Sequence, residues 1–217
     1  MTEPVYTPPK IWKWNKDLGG TWGSLNRPVA GATHDHELPV GKHPLQLYSL
    51  ATPNGVKVTV MLEELLALGH SGAEYDAHLI RIRRGDQFGS GFVEINPNSK
   101  IPALVDHSTP TPTRVFESGA ILIYLAEKTG KFLPASGEAR VRTMEWLMFQ
   151  MGGFGPAPGQ VHHFIALEND GDRRYGLERY DKETRRLYGV MDKRLGEVEF
   201  FAGDLSIADF AILGWAW

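Results

Sequence analysis

The feature that most constrains this chain is a change of hydrophobic period part-way along it. Up to about Leu133 short apolar runs alternate with helix-period stretches, and from Gly137 onward only the helical period remains. Leu45–Ser49 reads as a strand. Residues 54–69 follow as a helix, with Val58, Met61, Leu62, Leu65 and Leu66 on one face and Gly69 as its stop. Residues 74–80 read as a second strand. Gly85, Gly89 and Gly91 leave room for only a short, imperfect helix within 84–96. Residues 101–106 and 114–117 are two strands joined by a Pro-rich turn, and so antiparallel. Ser118 caps a helix running to about Lys128, with Gly130 beyond it.

The resulting order, β-α-β-α-β-β-α, is that of a thioredoxin-like domain over 45–133. The region 137–217 is all-helical, so the fold class is α/β followed by all-α. Residues 140–151 carry a stripe of Val141, Met144, Leu147, Met148 and Met151. A Gly/Pro break is expected at 152–160. A long amphipathic helix spans 175–195, with Leu177, Tyr180, Thr184, Leu187, Met191 and Leu195 three or four apart. Ser206-Ile207-Ala208-Asp209 is a capping box opening a last helix. Phe210, Leu213, Trp215 and Trp217 make that helix so apolar that it needs cover, from a partner or from a C-terminal continuation. Residues 1–44 are Pro- and Gly-rich yet hold Trp12, Trp14 and Trp22, the composition of an irregular arm packed on the body or on a partner subunit.

Charge and composition narrow the function. A net charge of -3 over 217 residues, with scattered Lys and Arg, argues against nucleic-acid and membrane partners. No apolar run is long enough to span a bilayer, and the first ten residues lack a secretory pattern, so a cytoplasmic protein is expected. There is no cysteine, so any thiol chemistry must use a thiol brought by a ligand. His162-His163 and His34-x-His36 lack the spacing or the carboxylates of a metal site, and no metal is expected.

Three short motifs carry chemistry. Pro102 at the start of a strand leaves Ile101 able to pair its backbone with an extended ligand; an ordinary edge-strand proline would look the same. Glu117-Ser118 at a strand-to-helix junction offers a carboxylate for an ammonium, and a hydroxyl and helix N-terminus for a carboxylate. A plain helix cap is the alternative. Thr52-Pro53-Asn54-Gly55 lies between first strand and first helix. Its hydroxyl and amide can donate to a thiolate, or the segment is a turn capped by Asn54.

Their order, together with Phe92-Val93-Glu94-Ile95-Asn96-Pro97-Asn98, Lys100-Ile101-Pro102-Ala103-Leu104, Phe116-Glu117-Ser118-Gly119 and Gly152-Gly153-Phe154-Gly155-Pro156, resembles the glutathione transferase family, and within it the nu-class disulfide-bond reductases. The resemblance implies a site for glutathione, as co-substrate and as one or two molecules. Glu117 and Ser118 would hold its γ-glutamyl head, Ile101 beside a cis Pro102 its cysteinyl backbone, and Lys100 and Gln87 its glycyl carboxylate. Thr52, Pro53 and Asn54 would face the sulfur, with Thr52 and Asn54 catalytic, and Asn26, Gln150 and Arg179 would help hold a second molecule. It implies a homodimer, small disulfide or peroxide substrates, and a helical domain that continues past the helix opened by Ser206. A glutathione-binding or regulatory relative without catalysis is the competing reading.

Overall fold

Every residue of the first strand, β1 (Leu45–Ser49), is buried, and the layer it occupies explains why. In the computed structural model, which describes residues 10–11, 25, 30–167 and 170–216, β1 lies inside a four-stranded sheet of order β2-β1-β3-β4. Its neighbours are β2 (Tyr75–Leu79), parallel to it, and β3 (Ala103–Asp106), antiparallel. β4 (Thr113–Phe116) pairs antiparallel with β3 at the edge. Successive side chains point to opposite faces. Leu45, Leu47 and Leu104 therefore join one core, while Tyr48, Ala103 and Val105 join another on the opposite face. A strand covered on both faces reads as one apolar run rather than an alternation.

The first face is covered by α1 (Pro53–Ala67) and α3 (Ser118–Thr129), which supply Val58, Met61, Leu65, Ile121, Leu122 and Leu125. α1 begins at Pro53 with Thr52 as its cap, not with an Asn54 cap as the turn chemistry suggested. A proline is preorganised for the first helical position, where its missing N–H costs nothing. The second face is covered by α2 (Ser90–Ile95), shorter than its glycine-bearing segment, with single 3₁₀ turns at Ile82–Arg84 and Asp86–Phe88 ahead of it. The end of the arm docks here: Ser90 and Gly91 donate to the carbonyls of His34 and His36, and Leu38 packs into the Tyr48 core. Gly91 permits the approach, since a Cβ there would lie 2.7 Å from the His36 oxygen. Trp12, Trp14, Trp22 and Asn26 lie outside the described residues.

The helical part is α4 (Gly137–Phe149), α5 (Pro156–Ile165), α6 (Asp170–Leu195) and α7 (Ile207–Ala216). Where a break was expected, the chain stays helical: one π turn, Gln150–Phe154, joins α4 to α5, again with proline at the first position. The stripe expected on α4 is divided. Leu147 is buried, but Val141 and Met148 are exposed. α7 corrects a second expectation. The Ser206–Asp209 box forms, with the Ser206 N–H and Oγ both donating to Asp209 Oδ2. The helix it opens is covered by this chain's own elements, Ile207, Phe210 and Ala211 packing into the α1–α3 core and Ile212 into a second cluster with Phe154, Leu187 and Met191. Leu213 remains exposed, and Trp217 lies outside the described residues.

Candidate functional site

Two helices begin at the same cavity, and the sequence builds their N-termini differently. At α1 the Thr52 Oγ1 accepts the Gly55 N–H at 3.3 Å, so the helix caps itself. At α3 the cap position is Glu117, with φ 69° and no side-chain capping bond. A β-to-α junction held in the left-handed region by a non-glycine residue is strained, and such strain concentrates at functional sites. It leaves Glu117 exposed while the next residue, Ser118, is buried. Asn98 Nδ2 donates to Glu117 Oε1 at 3.2 Å and steadies the carboxylate.

The neighbouring turn is set by Asn96, which is buried. Its Nδ2 donates to the Lys100 carbonyl at 2.6 Å, and its Oδ1 accepts the Asn98 N–H at 2.8 Å. This delivers Ile101 and the cis Ile101–Pro102 bond to the start of β3. Among the described residues the Ile101 backbone makes no hydrogen bond.

Between the two helix starts lies Lys57, 1% exposed. Its Nζ donates to Gln150 Oε1 at 2.7 Å and to Ser118 Oγ at 3.2 Å, and it lies 3.5 Å from Met151 Sδ. Among the described residues no carboxylate is within ion-pair distance of it. Burial pushes the ammonium down to about 7, with the Glu117 charge opposing. The Ser118 hydroxyl accepts from the lysine and donates to Met151 Sδ at 3.7 Å, a weak acceptor that an anion would displace. The π turn brings Gln150 and Met151 here, and Gly119 gives Met151 room, a Cβ there lying 3.1 Å from Met151 Cγ.

These groups line a cavity of about 350 Å³ bounded by Asn54, Lys57, Glu117, Gln150, Met151 and Trp215. A second cavity of about 520 Å³ adjoins it, shares Gly159, Gln160 and Trp215, and is lined further by Leu25, Pro53, Lys100, His162 and His163. Lys100 Nζ reaches the Leu25 carbonyl at 3.2 Å, and burial lowers its pKa. The chemistry on offer is a carboxylate for an ammonium, an open helix end and a cation for a carboxylate, an unpaired backbone edge, and amide and hydroxyl donors at the start of α1. That set suits a peptide with an amino-acid head. Among the described residues no group of three or more His, Asp or Glu side chains could hold a metal, and no helix is long and apolar enough to cross a membrane.

Comparison with known proteins agrees with this chemistry. The sequence profile described as "Glutathione S-transferase, N-terminal domain" matches residues 57–128. The disulfide-bond oxidoreductase YghU of Escherichia coli K12 is 56% identical over 221 aligned positions, covering 100% of this chain and 75% of that protein. The chain belongs to the glutathione S-transferase family. Among solved structures, a Streptococcus pneumoniae glutathione transferase YghU, complexed with glutathione, superposes with a TM-score of 0.90 at 46% identity, covering 97% of this chain and 81% of that one. A Pseudomonas putida glutathione transferase with one glutathione disulfide bound per subunit gives 0.74 at 46% identity, covering 81% and 76%.

In this chain five of the site residues singled out from the sequence line the two cavities. Asn54, Glu117 and Gln150 line the smaller, and Pro53 and Lys100 the larger. Ser118 is held by Lys57. Thr52, Ile101 and Pro102 flank these residues along the chain. Gln87 is placed differently. It is buried, its Nε2 donates to the Ile82 carbonyl at 3.1 Å, and it lines neither cavity. Arg179 is exposed on α6 with its guanidinium 5.8 Å from the Tyr180 ring centroid, and also lines neither. Two site residues were missed. Lys57 could have been noticed as a cation one turn inside a helix N-terminus, where the dipole disfavours it. Trp215 gave no signal beyond hydrophobicity.

Proposed function

We propose that this protein is a glutathione-dependent disulfide-bond reductase in which bound glutathione is the nucleophile. One observation carries the reading: a chain with no cysteine places the amide of Asn54, at a helix N-terminus, in the same cavity as Glu117 and Lys57. Glu117 receives the γ-glutamyl ammonium. Its carboxylate meets the Ser118 hydroxyl and the uncapped N-terminus of α3, with Lys57 beneath. The Ile101 backbone pairs with the cysteinyl unit, and Lys100 serves the glycyl carboxylate. Thr52 and Asn54 donate to the sulfur and favour the thiolate.

The thiolate attacks one sulfur of a disulfide, forming a mixed disulfide and expelling the other sulfur as a thiolate, which takes up a proton. A second glutathione thiolate then attacks the glutathionyl sulfur and releases glutathione disulfide and the second substrate thiol. The second molecule occupies the larger cavity, which adjoins the first at Gly159, Gln160 and Trp215. The same thiolate reduces peroxides weakly. The glutathione disulfide held by the P. putida relative and the oxidoreductase name of the E. coli relative support this reading. A cytoplasmic C2 homodimer completes it, for which the exposed Val141 and Met148 on α4 are apolar surface.

The test is turnover of 2-hydroxyethyl disulfide by glutathione, followed through coupled reductase consumption of glutathione disulfide. We expect catalysis in the unmodified protein and its loss, by about tenfold or more, in Asn54→Ala. A rate no higher than uncatalysed exchange, with glutathione still bound, overturns the reading in favour of a non-catalytic binding protein.

A further inference from the structure

We infer that Trp215 is a positioning residue for the thiol: its indole N–H fixes the Asn54 side chain so that the amide NH2 is the face offered to sulfur. The inference rests on the proposed function and adds a residue from the far end of the chain to it. Trp215 Nε1 lies 2.9 Å from Asn54 Oδ1, a contact spanning 161 positions of sequence. An indole N–H can only donate, so its partner must be the amide oxygen. That removes the ambiguity between the two ends of the amide. With the sole acceptor engaged, both N–H bonds of Asn54 remain for other partners, and the residue lines the cavity that holds Glu117 and Lys57. A thiolate needs donors and is repelled by a carbonyl oxygen. A freely rotating asparagine would present either end, whereas this one is committed.

The surrounding structure is shaped for this contact. Gly214 lets α7 press on the start of α1, since a Cβ there would sit 2.2 Å from the Pro53 carbonyl oxygen. Gly159 clears the ring, a Cβ there lying 3.3 Å from Trp215 Cη2. Trp215 packs on the Phe154–Leu187–Ile212 cluster, and the Tyr188 hydroxyl donates to its carbonyl at 3.5 Å. The tryptophan is thus held from behind while its N–H faces α1. Polarisation of the amide by the indole also strengthens the N–H bonds it offers.

The experiment compares the unmodified protein with Trp215→Phe, which keeps an aromatic ring and removes the donor. The pKa of the bound glutathione thiol is read from thiolate ultraviolet absorbance against pH, and independently from the pH profile of turnover. We expect the thiol pKa to rise by about half to one unit in W215F, with turnover at pH 6 falling about threefold to tenfold and recovering at high pH. Affinity for S-methylglutathione should change less than twofold. In an Asn54→Ala background the same substitution should cause no further shift. A W215F protein that binds S-methylglutathione normally and titrates like the unmodified one overturns the inference and leaves the proposed function standing. An unmodified protein that binds glutathione without lowering its thiol pKa overturns both.

Should W215F fail to fold, the unmodified protein carries the test. The indole proton resonance of Trp215 should move with the titration of the bound thiol. A resonance that stays flat through that titration overturns the inference.

Discussion

The starts of α1 and α3 share one cavity, yet one is closed and the other open. α1 has an extended cap, Thr52 at φ −113°, whose hydroxyl accepts one of the helix's own N–H groups, and Pro53 removes another. α3 has Glu117 at φ 69°, no side-chain cap, and a buried lysine from α1 reaching to its first residue. A closed helix end stabilises the fold. An open one beside a cation keeps its attraction for an anion. The chain thus spends local stability at α3 to hold a carboxylate, and keeps α1 intact to aim a hydroxyl and an amide at sulfur.

The largest effect should come from unseating α3. Asp106, on β3, has a fully buried side chain held by Lys128 Nζ and the Tyr124 hydroxyl, each at 2.7 Å, and both partners are on α3. Burial alone would raise this carboxyl, but hydrogen bonds from Lys128, Ser108 and Tyr124 outweigh it and bring it to about 2. A depressed folded value means stability that is present above the unfolded value of 3.8 and lost as pH falls through about 2. Asp106→Asn should cost about 3 kcal/mol at pH 7 by urea unfolding. Its acid limb should flatten between pH 4 and 2. An unchanged acid limb would show that the pair does not moor the open helix.

Next is the cation itself. A lysine whose folded value is about 7, against 10.5 unfolded, costs stability fully below pH 7, and that cost is relieved as pH rises from 7 to 10.5. Lys57→Met should therefore be more stable than the unmodified protein by about 2 kcal/mol at pH 6, the gap closing toward pH 10. The same variant should bind glutathione about tenfold more weakly. S-methylglutathione, which has no thiol proton to release, should take up protons on binding to the unmodified protein at pH 8, because the arriving carboxylate raises the lysine again. Calorimetry in two buffers of different ionisation enthalpy measures this. A stability gap between K57M and the unmodified protein that is the same at pH 6 and pH 10 would remove the lysine from the account of the open end.

How much of this comparison could be read beforehand differs between the two ends. Glu117-Ser118 was legible because a strand period stops and a helix period starts there. Ile101-Pro102 was legible because proline at a strand start has few explanations. One of the two readings of Thr52-Pro53-Asn54-Gly55 caps α1 with Asn54, because Pro-Asn-Gly is a strong turn signal. The competing rule, proline at the first helical position, won and moved the cap to Thr52. Residues 152–160 read as a break because Gly152, Gly153 and Pro156 are poor helix formers. A π turn absorbs the glycines, and proline again takes a first position. The roles of Lys57 and Trp215 were beyond sequence reading for one reason, although the placement of a cation near a helix start marked Lys57 as unusual. Their roles depend on partners 61, 93 and 161 positions away, and no local pattern encodes such distances.

Removing the serine hydroxyl probes the open end without disturbing its backbone. Ser118→Ala leaves the helix start in place but deletes the donor that Lys57 orients. Glutathione affinity should fall about tenfold, with the melting temperature nearly unchanged, by calorimetric titration and thermal unfolding. A loss below twofold would mean that the uncapped N–H groups alone hold the carboxylate.

The smallest effect is expected at the closed end, where it should appear as stability rather than affinity. The Thr52 oxygen accepts from Gly55, so its hydroxyl proton is free to donate. Thr52→Ala loses the cap, about 1 kcal/mol by urea unfolding, and also the donor to sulfur. Glutathione affinity should fall less than threefold, because the head of the ligand is held at α3. Turnover should fall further than affinity does. Thr52→Ser restores cap and donor together and should restore both readouts, whereas Thr52→Gly keeps most of the cap preference with no side-chain donor. If T52G recovers stability but not turnover, capping and thiol donation are separate jobs of one oxygen. If it recovers both, the hydroxyl matters only to the helix, and Asn54 alone carries the sulfur at the closed end.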